Sequence, residues 1–268
     1  MPLISLDYAD LALAALLLAV NAGISIWLQL GLARPTLVAA LRMAVQLALI
    51  GLVLTVLFDL VSPLWTSLFA LMMVLFAGRE AMARQERRLT GFWGYGVGTA
   101  AMLAAAAVVT VFALTTQVRP EPWYDPRYAI PLLGMILGNT MTGVALGLHT
   151  LTATATREKA AIEARIALGH PRSAALRHIV AGALKTALMP IVNAMSAAGL
   201  VSLPGMMTGQ ILSGVEPAEA VKYQILIMFL IAGGTGFGAL TAVLAGAARI
   251  TDGRHRLRLD RLTAGKMR

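Results

Sequence analysis

Seven long apolar stretches restrict what this 268-residue chain can fold into more than any other feature of its sequence. They lie near residues 10–33, 36–58, 61–78, 91–115, 129–152, 187–213 and 223–248. Stretches of roughly 20 apolar residues can cross a hydrocarbon core about 30 Å thick as α-helices, which satisfy their own backbone hydrogen bonds. The residues do not alternate with the period of two that a membrane β-barrel requires. The sequence therefore predicts an all-α, polytopic integral membrane protein with about seven transmembrane helices.

The composition also favours a membrane protein over a soluble one. Hydrophobic residues make up 58% of the chain and charged residues 13%, whereas charged residues are about a quarter of a soluble domain. A net charge of +9 would indicate nucleic-acid binding in a soluble protein, but here the basic residues follow the predicted spans. We therefore expect no nucleic-acid partner, and we interpret the basic C-terminal sequence RHRLRLDR as a topological signal or a contact with membrane lipid.

Most basic residues fall on one side of the predicted membrane. The segments on that side are residue 34 and residues 79–88, 157–185 and 249–268. The opposite side has only Arg119, Arg127 and Lys222. The positive-inside rule therefore predicts a cytoplasmic C-terminus and an N-terminus outside. Asp7 and Asp10 precede the first span without a lysine or arginine, so we expect a retained first helix rather than a cleavable signal peptide.

The chain has no repeat of about 20 to 50 residues and no Gly/Ser-rich linker, so residues 1–268 are expected to form a single transmembrane domain. Its largest predicted cytoplasmic segment is 153–186, whose alanine-rich composition favours helix. Gly169 and Pro171 predict a break between two helices there. In the second helix the apolar residues follow helical spacing, and Arg177 lies on the opposite face. Two interpretations remain open: an interfacial helix that fills a loop, and a coupling helix that docks on a cytoplasmic ATPase.

Part of this segment matches a known motif. Glu163–Ala164, Gly169 and Ile179 agree with much of the EAA loop of ABC importer permeases. Arg165 stands where that motif has its second alanine, and Ala181–Gly182 replaces its terminal Leu-Pro. The match is partial.

Four longer segments carry a more extensive resemblance. They are RMAVQLALIG (42–51), PLLGMILGNTM (131–141), LGHPRSAALRHIV (168–180) and GLVSLPGMMTGQILSGVEPAEAVKYQI (199–225). Together they resemble the FetB family of iron-export ABC permeases, which is related to plant aluminium-tolerance permeases. The run GLVSLPGMMTGQI is the most specific part of the resemblance, which covers most of the chain.

The resemblance implies the permease subunit of an ABC exporter that transports iron. It implies a separate ATP-binding subunit, and the chain indeed has no Walker A sequence, G-x-x-x-x-G-K-[ST]. ATP and magnesium are therefore expected in that partner, and this chain is expected to bind no cofactor. We further expect a homodimer with two ATPase subunits in the bacterial inner (plasma) membrane. The residues implied to couple to the ATPase are Glu163, Arg165, Gly169, His170, Pro171, Arg172 and Arg177.

Other functions remain open. An ATP-independent channel or secondary transporter would favour ionisable residues within the spans, which are scarce here. A membrane scaffold would transport nothing, and the related plant proteins leave ABC export of a non-metal solute, such as a nucleotide sugar, possible. An enzyme is not expected, because His170, Ser173 and His178 have no carboxylate beside them for a catalytic triad.

Polar groups inside the spans are the first candidates for a substrate pathway. Arg42 and Gln46 lie one helical turn apart in span two and project from one face. They could contact an anion or a ligated metal, although Arg42 could equally extend to the inner membrane surface. Asn139 lies in a glycine-rich part of span five, where it either joins helices or lines the pathway.

The run SLPGMMTGQ is the strongest pathway candidate. Pro204 and Gly205 interrupt an apolar helix and free backbone carbonyl groups, as in transporter binding sites. Met206 and Met207 offer thioethers, which suit Cu(I) better than iron and are also common packing groups. His149 has no second ligand at helical spacing, so the metal ligands are unknown. Iron would have to travel as a complex or past carbonyl, amide and hydroxyl oxygens.

Overall fold

The computed structural model describes residues 7–263, which form nine α-helices and no strand. The helices are α1 (Tyr8–Trp27), α2 (Ala33–Leu60), α3 (Pro63–Ala83), α4 (Phe92–Phe112), α5 (Pro126–Arg157), α6 (Lys159–Ala167), α7 (Arg172–Ala197), α8 (Gly205–Leu212) and α9 (Pro217–Arg249). A π-helical segment, Ala113–Val118, continues α4, and a 3₁₀ turn, Leu259–Arg261, lies near the C-terminus. The prediction of an all-α fold is confirmed.

Seven of these helices are long and apolar enough to cross a membrane: α1 to α5, α7 and α9. The predicted number of spans is therefore confirmed, but the predicted sixth span, 187–213, is wrong. Residues 172–186, predicted to lie in the cytoplasmic segment, form the first half of α7 because their apolar face packs into the helical bundle. The helix ends at Ala197, before Gly199 adopts a φ of +88°, and α8 is separate.

Helix α5 lies at the centre of the bundle and packs against α3, α4, α7 and α9. Glycines allow the closest of these contacts. A Cβ atom added to Gly238 of α9 would lie 2.3 Å from Cγ2 of Thr140 in α5. One added to Gly143 of α5 would lie 3.2 Å from the carbonyl oxygen of Ala187 in α7. Small residues are therefore required where these helices cross, as is usual for packing inside membranes.

The hairpin of α1 and α2 lies at the edge of the bundle. The two helices pack against each other, whereas α2 makes few contacts with α5. An ion pair between Arg42 of α2 and Glu80 of α3 attaches the hairpin to the rest of the protein. This pairing provides the arginine with a counter-charge, which a charged group within a span requires.

The basic C-terminal sequence is folded. Residues 250–263, which we call the C-terminal hairpin, turn back on themselves through a 2.8 Å hydrogen bond from the Arg258 N–H to the Ile250 carbonyl. They also pair with the α3–α4 loop, where the Thr90 N–H donates to the Arg261 carbonyl and the Thr263 N–H donates to the Arg88 carbonyl, both at 2.8 Å. The hairpin therefore lies against the α3–α4 loop and the C-terminal end of α9.

Part of the hairpin's charge is neutralised internally. Arg256 pairs with Asp252 at 2.9 Å, and Arg258 pairs with Asp260 at 2.8 Å. The hydrogen bond from Arg258 lowers the pKa of Asp260 to about 2. The backbone N–H of Arg256 is the main cause of the lowered pKa of Asp252. The prediction of a lipid contact or topological signal did not anticipate this structure.

Candidate functional site

The break between α6 and α7 forms a sharp corner, which we call the coupling corner (residues 165–172). Gly169 has a φ of +90°, as glycine at a helix end often does. Its N–H donates to the Ile166 carbonyl at 2.9 Å, and the His170 N–H donates to the Arg165 carbonyl at 3.1 Å. These two bonds form a Schellman motif. The predicted break at Gly169 is therefore confirmed, and Pro171 is the N-cap of α7, one residue before the first turn.

The tip of the coupling corner is exposed and carries a large apolar side chain. Leu168 has 80% of its surface accessible, and Gly169, His170 and Pro171 beside it are also exposed. Sequence reasoning did not single out Leu168, because one leucine in an amphipathic segment has no distinguishing pattern. A leucine exposed in this way between basic residues is suited to insertion into a partner protein.

A hydrogen-bonded cluster of three side chains stabilises, or braces, the coupling corner. Arg165 of α6 donates from Nη1 to His178 Nδ1 of α7 at 2.6 Å. His178 Nε2 lies 2.8 Å from Glu158 Oε2, at the junction of α5 and α6. Because the arginine can only donate, Nδ1 must be the acceptor and Nε2 must carry the proton. The bond from His178 is the largest cause of the lowered pKa of Glu158. The cluster joins α5, α6 and α7.

The C-terminal hairpin braces the corner from the other side. Its His255 accepts a hydrogen bond at Nδ1 from the backbone N–H of Arg172, the first residue of α7, at 3.1 Å. This bond satisfies one of the N–H groups that a helix leaves without an internal partner. No local sequence signal predicted it, because the two residues are 83 positions apart.

The structure brings the predicted coupling residues onto this corner and its two helices. Arg165 is engaged in the bracing cluster rather than free. Glu163 lies on α6, 3.8 Å from Lys159. Arg177 is exposed on α7, and Arg172 is partly exposed beside the hairpin. The surface is therefore basic around an apolar tip.

The predicted pathway residues are not gathered at one place. Arg42 pairs with Glu80, and Gln46 is exposed one turn further along α2. Asn139 is exposed on α5 and donates from Nδ2 to the Met135 carbonyl of its own helix at 2.9 Å. Among the described residues, Asn139 therefore makes no hydrogen bond that joins two helices.

The Pro-Gly interruption lies at the other end of the bundle, where α8 begins. Pro204 is the N-cap of α8 and Gly205 is its first residue. Met207 is buried. Met206 lines a cavity of about 630 Å³, which we call the outer cavity because it lies on the predicted outer side.

No group of three or more His, Asp or Glu side chains that could hold a metal ion occurs between residues 7 and 263. His149 is partly buried, and its Nδ1 atom is buried without a hydrogen-bond partner in the described part of the chain. The described residues therefore present no ligand set that would identify a bound metal.

Fold and site together define a polytopic α-helical membrane protein with a braced, exposed helical corner on its predicted cytoplasmic side. The chain belongs to the UPF0014 family, described as an uncharacterised protein family, which it matches over residues 8–251. That range contains all seven spanning helices and the coupling corner.

Curated relatives extend the comparison. A UPF0014 membrane protein of Synechocystis is 37% identical over 233 residues, 85% of this chain and 88% of the relative. The Arabidopsis thaliana protein ALUMINUM SENSITIVE 3 is 33% identical over 75% of this chain and 71% of its own length. The probable iron export permease protein FetB of Escherichia coli is 29% identical over 94% of this chain and 95% of its own length. No solved structure matches the chain.

These relatives confirm the predicted family resemblance. The membrane-protein names of relatives and the seven apolar helices also confirm the predicted membrane location.

Proposed function

We propose that this chain is the permease subunit of an ABC exporter driven by a separate ATP-binding subunit, and that its cargo is iron. The observation that carries the proposal is the coupling corner, where Leu168 is 80% exposed on a segment braced by two sets of hydrogen bonds. A partner that applies force needs a surface that is both accessible and rigidly connected to the spans. The ATP and magnesium belong in the partner.

The bracing supplies a route for that force. A displacement of the corner acts directly on α7, because α6 is tied to α7 through Arg165 and His178. Helix α7 packs on α5, where Gly143 and Gly147 lie against Ala187 and Ala183. Packed helices transmit displacements because their interiors deform little. Movement at the corner therefore reaches the central helix of the bundle.

The arrangement of exposed polar groups favours a homodimer with the pathway between its subunits. Asn139 is exposed and Thr142 is half-buried on α5, the central helix, within a span. A polar face at membrane depth is more stable against protein or water than against lipid. A second copy packed against this face would enclose a polar route that neither copy encloses alone.

The cargo that we propose is iron. Iron is supported by the name of the Escherichia coli relative, probable iron export permease. Export of a non-metal solute is the second candidate, since the described residues hold no cluster of metal-ligating side chains. Iron bound in an organic complex agrees both with the relative's name and with the lack of such a cluster among the described residues.

The coupling is tested by charge reversal. Arg177→Glu places a negative charge on the proposed docking surface, where it removes electrostatic complementarity with the partner. We expect co-purification with the ATP-binding subunit and transport-coupled ATP hydrolysis to fall by about tenfold or more, which corresponds to roughly 1.4 kcal/mol. Arg119→Glu, on the predicted outer side, is the matched control and should change neither. Unchanged assembly and hydrolysis in Arg177→Glu would refute coupling through this corner.

The cargo and the energy source need separate measurements. Cells that lack the protein should retain more iron after loading with radioactive iron, and an unchanged efflux rate would remove iron from the proposal. Proteoliposomes should transport only when the ATP-binding subunit and ATP are both present. Transport driven by an ion gradient alone would favour a secondary transporter or channel instead.

A further inference from the structure

The outer cavity is a built site at the opposite end of the bundle from the coupling corner. Its volume of about 630 Å³ lies within the range of small-molecule sites. On α5 its lining runs from Arg127 through Pro131 to Met135, a helix face about 12 Å long at 1.5 Å per residue. On α9 it includes Tyr223 and Leu230, two turns apart.

Helix packing creates this cavity. Gly234 of α9 lies against Ile136 of α5, so closely that an added Cβ would lie 2.7 Å from Cγ2 of the isoleucine. Further along, Gly246 lies against Leu151, so the two helices run in parallel. Before Ile136 and Gly234, residues of both helices line the cavity together with Met206 of α8. The close contact therefore closes the inner end of the cavity.

The polar groups of the lining are few and specific. Arg127 lies in the first turn of α5, and its guanidinium forms no ion pair within residues 7–263. Gln210 of α8 lines the wall, and its Oε1 atom is buried without a hydrogen-bond partner in the described structure. The rings of Tyr128 and Tyr223 contribute aromatic surface. No described acidic residue or histidine lines the cavity.

We infer that the outer cavity binds a water-soluble organic anion with an apolar or aromatic body and a hydroxyl or N–H donor. Arg127 would pair with the anionic group, the apolar walls would cover the body, and the donor would satisfy the buried Gln210 oxygen. A bare metal cation is the wrong ligand, since it would meet the arginine's charge without a carboxylate to bind it.

This inference rests on the proposed function in one respect, namely that the bound anion is the exported cargo. A metal would then cross the membrane inside an organic complex rather than as an ion. The anion is expected from the water phase rather than from the bilayer. Arg127 is the second residue of α5, close to the loop that ends at Asp125, whose side chain caps α5 by accepting from the Arg127 N–H at 2.9 Å.

A matched pair of catechols tests the charge preference. The purified chain, in nanodiscs of zwitterionic lipid and without an ATP-binding subunit, is titrated with 2,3-dihydroxybenzoate. The same titration is made with dopamine, which has the same ring and hydroxyl groups but a positive charge, and with ferrous ion alone. We expect the anion to bind at least about tenfold more tightly than dopamine, because Arg127 attracts the carboxylate and repels the ammonium group.

Two variants and a control locate the binding. Arg127→Gln should weaken binding of 2,3-dihydroxybenzoate about tenfold or more, and Gln210→Leu about threefold or more. Arg119→Gln, an exposed arginine of the same side outside the cavity lining, should leave binding unchanged. Unaltered thermal stability of each variant shows that the fold is retained.

Three results would overturn the inference: dopamine or ferrous ion binding as tightly as the anion, Arg127→Gln binding like the wild type, or anionic lipid in the nanodisc abolishing binding of the probe. The assay contains no ATP-binding subunit, so its result is independent of the coupling experiments. Anion binding without ATP-driven transport would refute the proposed function alone. ATP-driven transport without anion binding would refute only the assignment of the cavity.

Discussion

Leu168→Ala should weaken binding of the partner ATP-binding subunit without weakening the fold of this chain. Leu168 is 80% exposed at the tip of the coupling corner, so almost the whole side chain remains to be desolvated when a partner covers it. Burying a leucine side chain contributes about 1.5–3 kcal/mol, and truncation to alanine removes roughly 2 kcal/mol of that contribution. The dissociation constant should therefore rise about 30-fold.

The assay is a titration of the purified chain in nanodiscs with its ATP-binding subunit, followed by surface plasmon resonance. Leu200→Ala provides the control, because Leu200 is 95% exposed on the predicted outer side and undergoes the same chemical change. Both variants should unfold within about 0.5 kcal/mol of the wild type, as exposed substitutions generally do.

Two results would refute this reasoning. An unchanged dissociation constant for Leu168→Ala would mean that the exposed leucine does not enter a partner pocket. An equal loss in Leu200→Ala would mean that the effect does not depend on the coupling corner. A loss confined to Leu168→Ala is the expected result.

The remaining predictions concern stability. Gly238→Ala should destabilise the bundle by about 1–3 kcal/mol through overpacking, whereas Gly236→Ala, where an added Cβ meets nothing within 4 Å, should be neutral or stabilising; thermal unfolding followed by tryptophan fluorescence distinguishes them. Glu80→Gln should lower the unfolding temperature, because an unpaired arginine within a helix costs up to about 3 kcal/mol; an unchanged temperature would contradict a structural role for the ion pair. The pKa of Asp260 is lowered from 3.8 to about 2, so its bond to Arg258 stabilises the hairpin at neutral pH and is lost as the pH falls from about 4 to 2; the hydrogen-exchange protection factors of residues 252–260, corrected for the intrinsic pH dependence of exchange, should fall only in that range.

In the predicted cytoplasmic segment 153–186, local sequence patterns predicted some features of the structure and missed others. Gly169 predicted the helix break correctly, because a left-handed residue at a helix end is a local property of the backbone. The helical spacing predicted one apolar face, and Leu176 and Ile179 on that face are buried in the bundle. The same spacing could not distinguish a helix under the bilayer from one that enters it, and α7 does enter the bundle.

At the candidate sites, sequence patterns did not predict contacts between distant segments. Arg42 was considered either a pathway residue or one that extends to the membrane surface, and its actual partner, Glu80, lies on another helix. His255 was noticed only as part of a basic tail, although it caps α7. Roles in coupling and transport remain predictions for all of these residues. The missed contacts join segments that are distant along the chain, and no periodicity within one segment records them.

The amino-acid sequence was sufficient to predict a seven-span helical membrane protein and its family. The length of an apolar stretch and a family motif are each properties of one continuous segment of the chain. Tertiary structure decided three things that depend on separate segments meeting. Packing joined residues 172–186 to the helix of the sixth span, hydrogen bonds from Glu158 and the C-terminal hairpin braced the coupling corner, and the meeting of α5, α8 and α9 formed the outer cavity. Each results from the free energy of contacts between distant residues, which no local pattern contains.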